Sequence, residues 1–283
     1  MSKGLASLID NIELEQIEIN LFRGEVLDYA RNTVYGGQVL AQAVYAARAT
    51  VSSRFELHSI HAYFLRPGDS EMPVVYEVDR IRDGKHFTTR RVVAIQHGRA
   101  IFNVSLSFHQ PEKNDDAYRR QDKMPEVPEP ETLLSDENYY SQLYKGSKFE
   151  LAAWPIEYRQ VDPAQLDAKA SSKHYVWLKA DGHIAQERAQ HQELLAYASY
   201  NHMMSTAMRP FGVVPWDPKL QAVTLDHAIW FHRPFRIDDW LLCELNSPSA
   251  AGHRVFTQGN IFNRRGQLIA TVAQEGLVRK AKS

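Results

Sequence analysis

The sequence predicts an α+β protein made of two tandem repeats, each with a long helix wrapped by an antiparallel sheet. Three observations predict it: strand-like segments separated by hairpin turns, a helical pattern ahead of each series of strands, and residues that recur at one long offset. The predicted organisation is a first half over residues 1–112, a linker over 113–150 and a second half over 151–283.

Strand signals dominate residues 54–112. The segments ELHSIHAYFL, MPVVYEVDRI, HFTTRRVVAIQ and AIFNVSLSFHQ are separated by the turn sequences RPGD, RDGK and HGR. Short turns at this spacing predict an antiparallel meander. In the second half AVTLDHAIWFHRPF, DWLLCELNSPSA, HRVFTQGNIFN and QLIATVAQEGLV repeat the plan, and WPIEYRQV and KHYVWLKA are predicted as additional strands.

The helix predicted ahead of the first meander spans residues 33–51. It carries no charge before Arg48, which predicts burial on most sides. Gly36 and Gly37 are expected to let its backbone approach the sheet closely. They are also predicted substrate-binding residues, because backbone N–H groups at a helix start can polarise a carbonyl.

The second helix is predicted over residues 194–208. Leu194, Tyr197, Tyr200 and Met204 recur at steps of three and four, which is the apolar stripe of an amphipathic helix. Tyr200 lies in the middle of this stripe and is expected to point inward.

Recurring residues indicate that the two halves arose by duplication. FLRP at 64–67 matches FHRP at 231–234, and His86 falls on His253, both at an offset of 167; Gly98 and Ile101 fall on Gly266 and Ile269 at an offset of 168. A period this long indicates a duplicated domain and not a solenoid. Two such sheets can join edge to edge, which would cover two exposed strand edges.

Composition and missing motifs exclude several classes. A formal charge of -1 argues against nucleic acid as a partner, and a single cysteine, Cys243, excludes an internal disulfide and a multi-cysteine zinc site. No G-x-S-x-G elbow, P-loop, G-x-G-x-x-G or H-E-x-x-H occurs, so no metal or cofactor is expected. The acidic N-terminus does not resemble a secretory signal and no apolar run is long enough to cross a bilayer, so we expect no membrane partner and a cytoplasmic location.

Four segments resemble the acyl-CoA thioesterase II (TesB-like) family: GGQVLAQAVYAA, LHSIHAYFLRPGD, RIRDGKHFTTRRVVAIQHGRAIF and LDHAIWFHRPF. The similarity covers nearly the whole chain and preserves the order of the halves. The resemblance implies a double hotdog fold, a homodimer or higher homo-oligomer, and hydrolysis of medium- to long-chain acyl-CoA to fatty acid and CoA.

The resemblance also implies a catalytic water held by three side chains of the second half. The Thr of its T-x-D-H segment corresponds to Thr224 and the Gln of its Q-E-G segment to Gln274. The Asp of its Y-A-S-D pattern corresponds to Tyr200. Thr224 can donate to and accept from water, and Gln274 can hold the water with its carbonyl oxygen or donate to an oxyanion.

Tyr200 departs from the family pattern, since a phenol with an ordinary pKa near 10 accepts a proton poorly at neutral pH. Three interpretations stay open. Another residue (His202, His58 or Asp226) takes the role of base, Thr224 and Gln274 alone sustain slow hydrolysis, or the chain binds acyl-CoA with little turnover. A dehydratase of this fold would need an Asp and His pair, which the sequence does not show at the matching place.

Cationic residues near the hairpins of the first half are candidates for contact with the CoA phosphates. They are Arg66, Arg82, Lys85 and Arg90, of which Arg90 is the predicted substrate-binding residue, together with His58. The alternative for each arginine and lysine is an ordinary role on the surface. For His58 the alternative is a structural histidine.

Overall fold

The structure, a computed structural model, describes residues 1–27, 33–112, 118–143, 154–163, 170–185 and 188–281. Its helices are α1 (Lys3–Ile12), α2 (Gly36–Ala49), α3 (Asp136–Leu143), α4 (Arg188–Ser199) and α5 (Met203–Met208). None of these helices is long and apolar enough to span a membrane.

The described strands form one antiparallel sheet. In the first half they are β1 (Glu15–Glu18), β2 (Leu21–Gly24), β3 (Glu56–Phe64), β4 (Val74–Asp83), β5 (Phe87–Gln96) and β6 (Arg99–His109). In the second half they are β7 (Ile156–Gln160), β8 (Lys173–Ala180), β9 (Leu220–Thr224), β10 (Asp226–Phe231), β11 (Leu241–Ala251), β12 (Arg254–Asn263) and β13 (Leu268–Lys280). Their order is β1-β2-β4-β5-β6-β3-β10-β13-β12-β11-β8-β7. Strand β9 lies off this path and pairs with the C-terminal part of β13.

The predicted edge-to-edge junction is confirmed. Strand β3 pairs with β10 in antiparallel register, with Ile60 opposite Ile229. The strand order on one side of this junction, β3-β6-β5-β4, mirrors β10-β13-β12-β11 on the other side. The two halves therefore share one fold, and their joined edges are protected from further pairing.

Matching hydrogen bonds in the two halves support the predicted duplication. The Arg66 guanidinium donates to the carbonyl of Ala100 at 2.6 Å, and Arg233 donates to that of Leu268 at 2.7 Å. Both arginines follow the strand at the junction and fasten the chain to the beginning of the neighbouring strand. The recurring Arg-Pro pair thus marks the same corner of each repeat.

Helices α2 and α4 pack against each other inside the curved sheet and form the centre of the main hydrophobic core. The prediction that the first helix is buried is confirmed, because all but three of its residues are buried. Its polar Gln42 is satisfied by the Tyr76 hydroxyl at 2.6 Å and by backbone carbonyls of Asn11 and Glu25. Arg48 of α2 forms an ion pair with the buried Glu193 of α4 at 2.6 Å, which ties the halves together.

The prediction of one continuous helix over 194–208 was wrong. Helix α4 ends at Ser199, and α5 begins at Met203. His202 adopts the left-handed conformation (φ 62°), and the Asn201 side chain accepts a hydrogen bond from the His202 amide at 3.0 Å. This local bond competes with helical bonding and stops the helix. Tyr200 consequently lies in a turn between two helices.

The linker predicted over residues 113–150, for which solvent exposure would be expected, is not uniformly exposed in its described part. It contains α3, which packs beside β7. Asp136, at the start of α3, has a side chain only 16% exposed. Part of this segment therefore packs against the second half instead of extending into solvent.

Candidate functional site

A cavity of about 910 Å³ lies between the halves. It is bounded by the start of α2, the end of β3, the turn between α4 and α5, the start of α3, and β9. Its lining includes Tyr35, Gly36, Phe64, Tyr200 and Thr224. A concave site of this size, largely apolar with a few polar groups, is typical of small-molecule binding.

Thr224 reaches the cavity from the end of β9, where the strand is distorted. Thr224 pairs with Gly276, whereas Ala228 pairs with Ala273, so the chain between Thr224 and Ala228 has one residue more than the strand opposite. This is a β-bulge. The Asp226 carboxylate stabilises it by accepting from the Glu275 amide at 2.7 Å.

Gln274 lies behind Thr224 and orients it. Its amide nitrogen donates to the Thr224 hydroxyl oxygen at 3.2 Å, and its carbonyl oxygen contacts His227 Nδ1 at 3.0 Å. Gln274 is 2% exposed. The structure thus places the amide nitrogen of Gln274 toward Thr224 and its carbonyl oxygen toward His227.

His227 and Ser199 complete this buried cluster. The second ring nitrogen of His227, Nε2, lies 3.0 Å from the Ser199 hydroxyl at the end of α4. Burial lowers the pKa of the His227 imidazole to about 4, so the ring is neutral at pH 7. The sequence interpretation missed both residues, although His227 stands three positions after Thr224 in the segment AVTLDHAIWFHRPF.

Tyr200 lines the same cavity, close to this cluster. Its ring packs edge-on against Tyr35 at 5.1 Å and Phe64 at 5.5 Å between centroids, and lies 6.2 Å from the His227 ring. A Cβ added to Gly36 would lie 2.6 Å from Tyr200 Cζ and 2.8 Å from its hydroxyl oxygen. The phenol therefore occupies the space over the first residue of α2.

The two glycines approach the second half rather than the sheet, which corrects the expectation for them. A Cβ on Gly37 would lie 2.5 Å from the backbone carbonyl oxygen of Tyr197 in α4, so only glycine permits this contact between helices. Gly36 faces Tyr200. Since Tyr35 provides no side-chain cap, the start of α2 presents its backbone amides beside the cavity.

Within the part of the chain that the structure describes, none of the other predicted bases is hydrogen-bonded to Thr224. His58 lies six residues from Phe64 on β3, about 20 Å along the strand, and contacts the Ser107 hydroxyl at 2.8 Å. His202 lines the cavity, but its Nε2 lies 2.9 Å from Asp136 of α3. Among the described residues, no carboxylate is hydrogen-bonded to Thr224 or Gln274.

Arg90 does not line the cavity. It is 1% exposed, and its five N–H groups donate to Thr50, Arg82, Thr89 and Asp83. This arrangement anchors the end of α2 to β5 and leaves no donor for a phosphate.

Among the described residues, Arg66 is the one Arg or Lys that lines the cavity. None of the described His, Cys, Asp and Glu residues forms a group of three that could hold a metal ion.

We predict that Arg90→Met lowers the free energy of unfolding by about 2–4 kcal/mol, because several buried backbone carbonyls lose their donors. KM for acyl-CoA, the substrate that the sequence resemblance implies, should stay unchanged. Urea unfolding and steady-state kinetics measure both quantities. The exposed Arg82→Met is the matched control and should change stability by less than about 0.5 kcal/mol. A tenfold rise in KM without loss of stability would show that Arg90 binds substrate.

Two repeats, each with a central helix inside a curled antiparallel sheet, define a double hotdog protein, and the cavity lies where the repeats meet. Family models match both halves: the acyl-CoA thioesterase N-terminal domain over residues 27–109 and acyl-CoA thioesterase over 147–277. The chain belongs to the acyl-CoA thioesterase II family.

Full-length relatives carry this assignment. The chain is 40% identical to acyl-CoA thioesterase 2 of Haemophilus influenzae, with 99% of each chain covered. It is 36% identical to acyl-coenzyme A thioesterase 8 of Homo sapiens, over 95% of this chain and 87% of the relative. A crystal structure of acyl-CoA thioesterase II TesB2 from Mycobacterium marinum matches with 37% identity and a TM-score of 0.80, over 97% of this chain and 99% of that one.

Proposed function

We propose that this protein hydrolyses medium- to long-chain acyl-CoA to free fatty acid and CoA by direct attack of water on the thioester, without a cofactor. The observation that carries the proposal is the meeting of Thr224 and the start of α2 at one cavity, with Gln274 hydrogen-bonded to Thr224 from behind. Names of relatives at 36–40% identity support the substrate class.

The cavity suits an acyl chain with the thioester at its polar end. Apolar side chains of Val39, Phe64, Ile101, Phe102 and Ile156 line it. A thioester carbonyl lying between Thr224 and the start of α2 would meet a hydroxyl donor and backbone amides at the positive end of the helix dipole. Arg66 at the same cavity is placed to pair with a CoA phosphate.

In the chemical step the water oxygen attacks the carbonyl carbon and the carbonyl π electrons move to oxygen. Hydrogen bonds from Thr224 and from the α2 amides stabilise this oxyanion. The carbon–sulfur bond then breaks, the carbonyl re-forms, and the CoA thiolate leaves. The attacking water gives up one proton, and the thiolate is protonated to CoA.

We propose that hydrolysis proceeds without a general base from a side chain, either at residue 200 or at the other candidate positions. His58 is remote, Asp226 is bonded to the Glu275 amide, and His202 is paired with Asp136. The proton of the attacking water therefore passes to solvent water, which makes hydrolysis slow. This choice among the three interpretations follows from the contacts of the candidate bases.

The proposed activity is tested by release of free CoA thiol from acyl-CoA of short to long chain length. Purified protein should release thiol faster than a blank without protein, with a preference for the longer chains. The mass of the intact protein should stay unchanged during turnover, since no acyl group is transferred to Thr224. Saturable acyl-CoA binding with thiol release equal to the blank would instead establish an acyl-CoA-binding protein.

A homodimer or higher homo-oligomer and a cytoplasmic location complete the proposal. Tyr63 of β3 and Trp230 of β10 are 56% and 36% exposed near the junction of the halves. Exposed aromatic groups are typical of protein interfaces. Sedimentation equilibrium measures the assembly directly.

A further inference from the structure

A chain of three hydrogen bonds runs from the core to the cavity. It joins the Ser199 hydroxyl to His227 Nε2 at 3.0 Å, His227 Nδ1 to Gln274 Oε1 at 3.0 Å, and Gln274 Nε2 to the Thr224 hydroxyl at 3.2 Å. The four residues come from α4, β10, β13 and β9. His227 is fully buried and Ser199 is 4% exposed, so only Thr224 meets the cavity.

The direction of these bonds follows from what each group can donate. Gln274 directs its N–H to Thr224, so its carbonyl oxygen must accept from His227 Nδ1–H. A neutral imidazole carries one N–H, so Nε2 accepts from the Ser199 hydroxyl. The competing acceptor for that hydroxyl, the carbonyl of Ala196, lies farther away at 3.4 Å.

With this direction, the Thr224 oxygen accepts a hydrogen bond from behind and its own proton is free for the cavity. In the reverse direction, Gln274 would accept the Thr224 proton and only a lone pair of the hydroxyl would face substrate. The two directions therefore assign opposite roles to Thr224. They also require opposite tautomers of His227.

We propose that His227 is a positioning residue that fixes the Gln274 amide, so that Thr224 donates its hydroxyl proton to the thioester carbonyl oxygen. This inference rests on the proposed thioesterase function. Ser199 sets the tautomer of His227 and Gln274 transmits the orientation. Thr224 is the member of the chain that touches substrate.

The tautomer is measurable without any turnover. Protein labelled with ¹⁵N in histidine gives separate signals for protonated and unprotonated ring nitrogens, and His227→Asn identifies the His227 signals by their absence. At neutral pH we expect Nδ1 to carry the proton and Nε2 to be bare. An Nε2–H tautomer would overturn the proposed direction, whatever the hydrolysis rate.

Two substitutions at His227 separate positioning from packing. The Asn side chain places its amide nitrogen where Nδ1 was and can still donate to Gln274, whereas Gln places its amide at the position of Nε2. His227→Asn should keep kcat within about fivefold, while His227→Gln should lower kcat by about 10–100-fold at unchanged KM. Both variants remove a buried ring, so equal losses in kcat would indicate a structural role and contradict positioning.

Gln274→Glu tests the direction while His227 stays intact. The second carboxylate oxygen replaces the N–H and accepts the Thr224 proton, which turns the hydroxyl away from substrate. We expect kcat to fall at least about tenfold. An unchanged or higher kcat would overturn the proposal. Wild-type protein that shows the Nδ1–H tautomer but releases no thiol would refute the thioesterase function and leave the direction of the hydrogen bonds established.

Discussion

Thr224→Val is expected to lower kcat by about 10²–10³-fold, the loss typical of removing one oxyanion donor. Valine has nearly the same shape as threonine and is equally compatible with β9, so the strand and its bulge should persist. The variant loses the hydroxyl that receives the Gln274 amide at 3.2 Å and faces the cavity. KM should change little, because the acyl chain and the CoA phosphates bind elsewhere. Thiol release under saturating acyl-CoA measures the effect.

Thr224→Ser is the matched control, since it keeps the hydroxyl and removes only a methyl group. It should retain kcat within about tenfold of wild type. A Val variant as fast as wild type would show that the hydroxyl takes no part in the reaction. Equal losses in the Ser and Val variants would point to a defect of the β9 bulge instead.

The repeated plan could be predicted because its signals are local. Hairpin turns and strand segments lie within a few residues of each other, and the short Arg-Pro sequence that marks the repeat places Arg66 and Arg233 in the same kind of hydrogen bond. The burial of a helix such as α2 is predicted by a long stretch without charged residues. Signals of this kind involve residues that are close together in the sequence, so they can be read without the tertiary structure.

The break after Ser199 could not be predicted from the apolar periodicity, which continues through it. The structure shows that Asn201 bonds the amide of His202, and that His202 then pairs with Asp136 about 66 positions earlier in the chain. The side-chain pairing depends on where α3 packs. Apolar periodicity predicts which face of a helix is buried. It does not predict a tertiary contact that favours a break in the helix.

Thr224 and Gln274 were assigned by resemblance, since by pattern each is an ordinary strand residue. His227 and Ser199 were missed because their bonds connect elements far apart in the chain. A buried histidine without a charged partner has no distinctive spacing. Its role appears only when α4, β10 and β13 are placed together.

Tyr200→Asp is expected to raise kcat by about 10–100-fold, at or below the lower end of the roughly 10²–10⁴-fold that general-base catalysis typically contributes. The shorter side chain vacates the space over Gly36 that the phenol fills, and its carboxylate can accept the proton of the attacking water. Its position beside the start of α2 favours the ionised form through the helix dipole. Loss of ring packing on Tyr35 and Phe64 should lower the free energy of unfolding by about 2–3 kcal/mol.

Tyr200→Asn is the matched control, because it opens the same space without a base. The carboxylate works only when deprotonated, so the gain in Tyr200→Asp should be present above an ordinary aspartate pKa of about 4 and should disappear as pH falls through it. Wild type and Tyr200→Asn should lack this acidic limb in their pH profiles of kcat. If Asn raises kcat as much as Asp, space for the water limits the rate. If both variants are slower than wild type, the phenol itself contributes to the reaction, and the proposal of hydrolysis without a group at residue 200 is wrong.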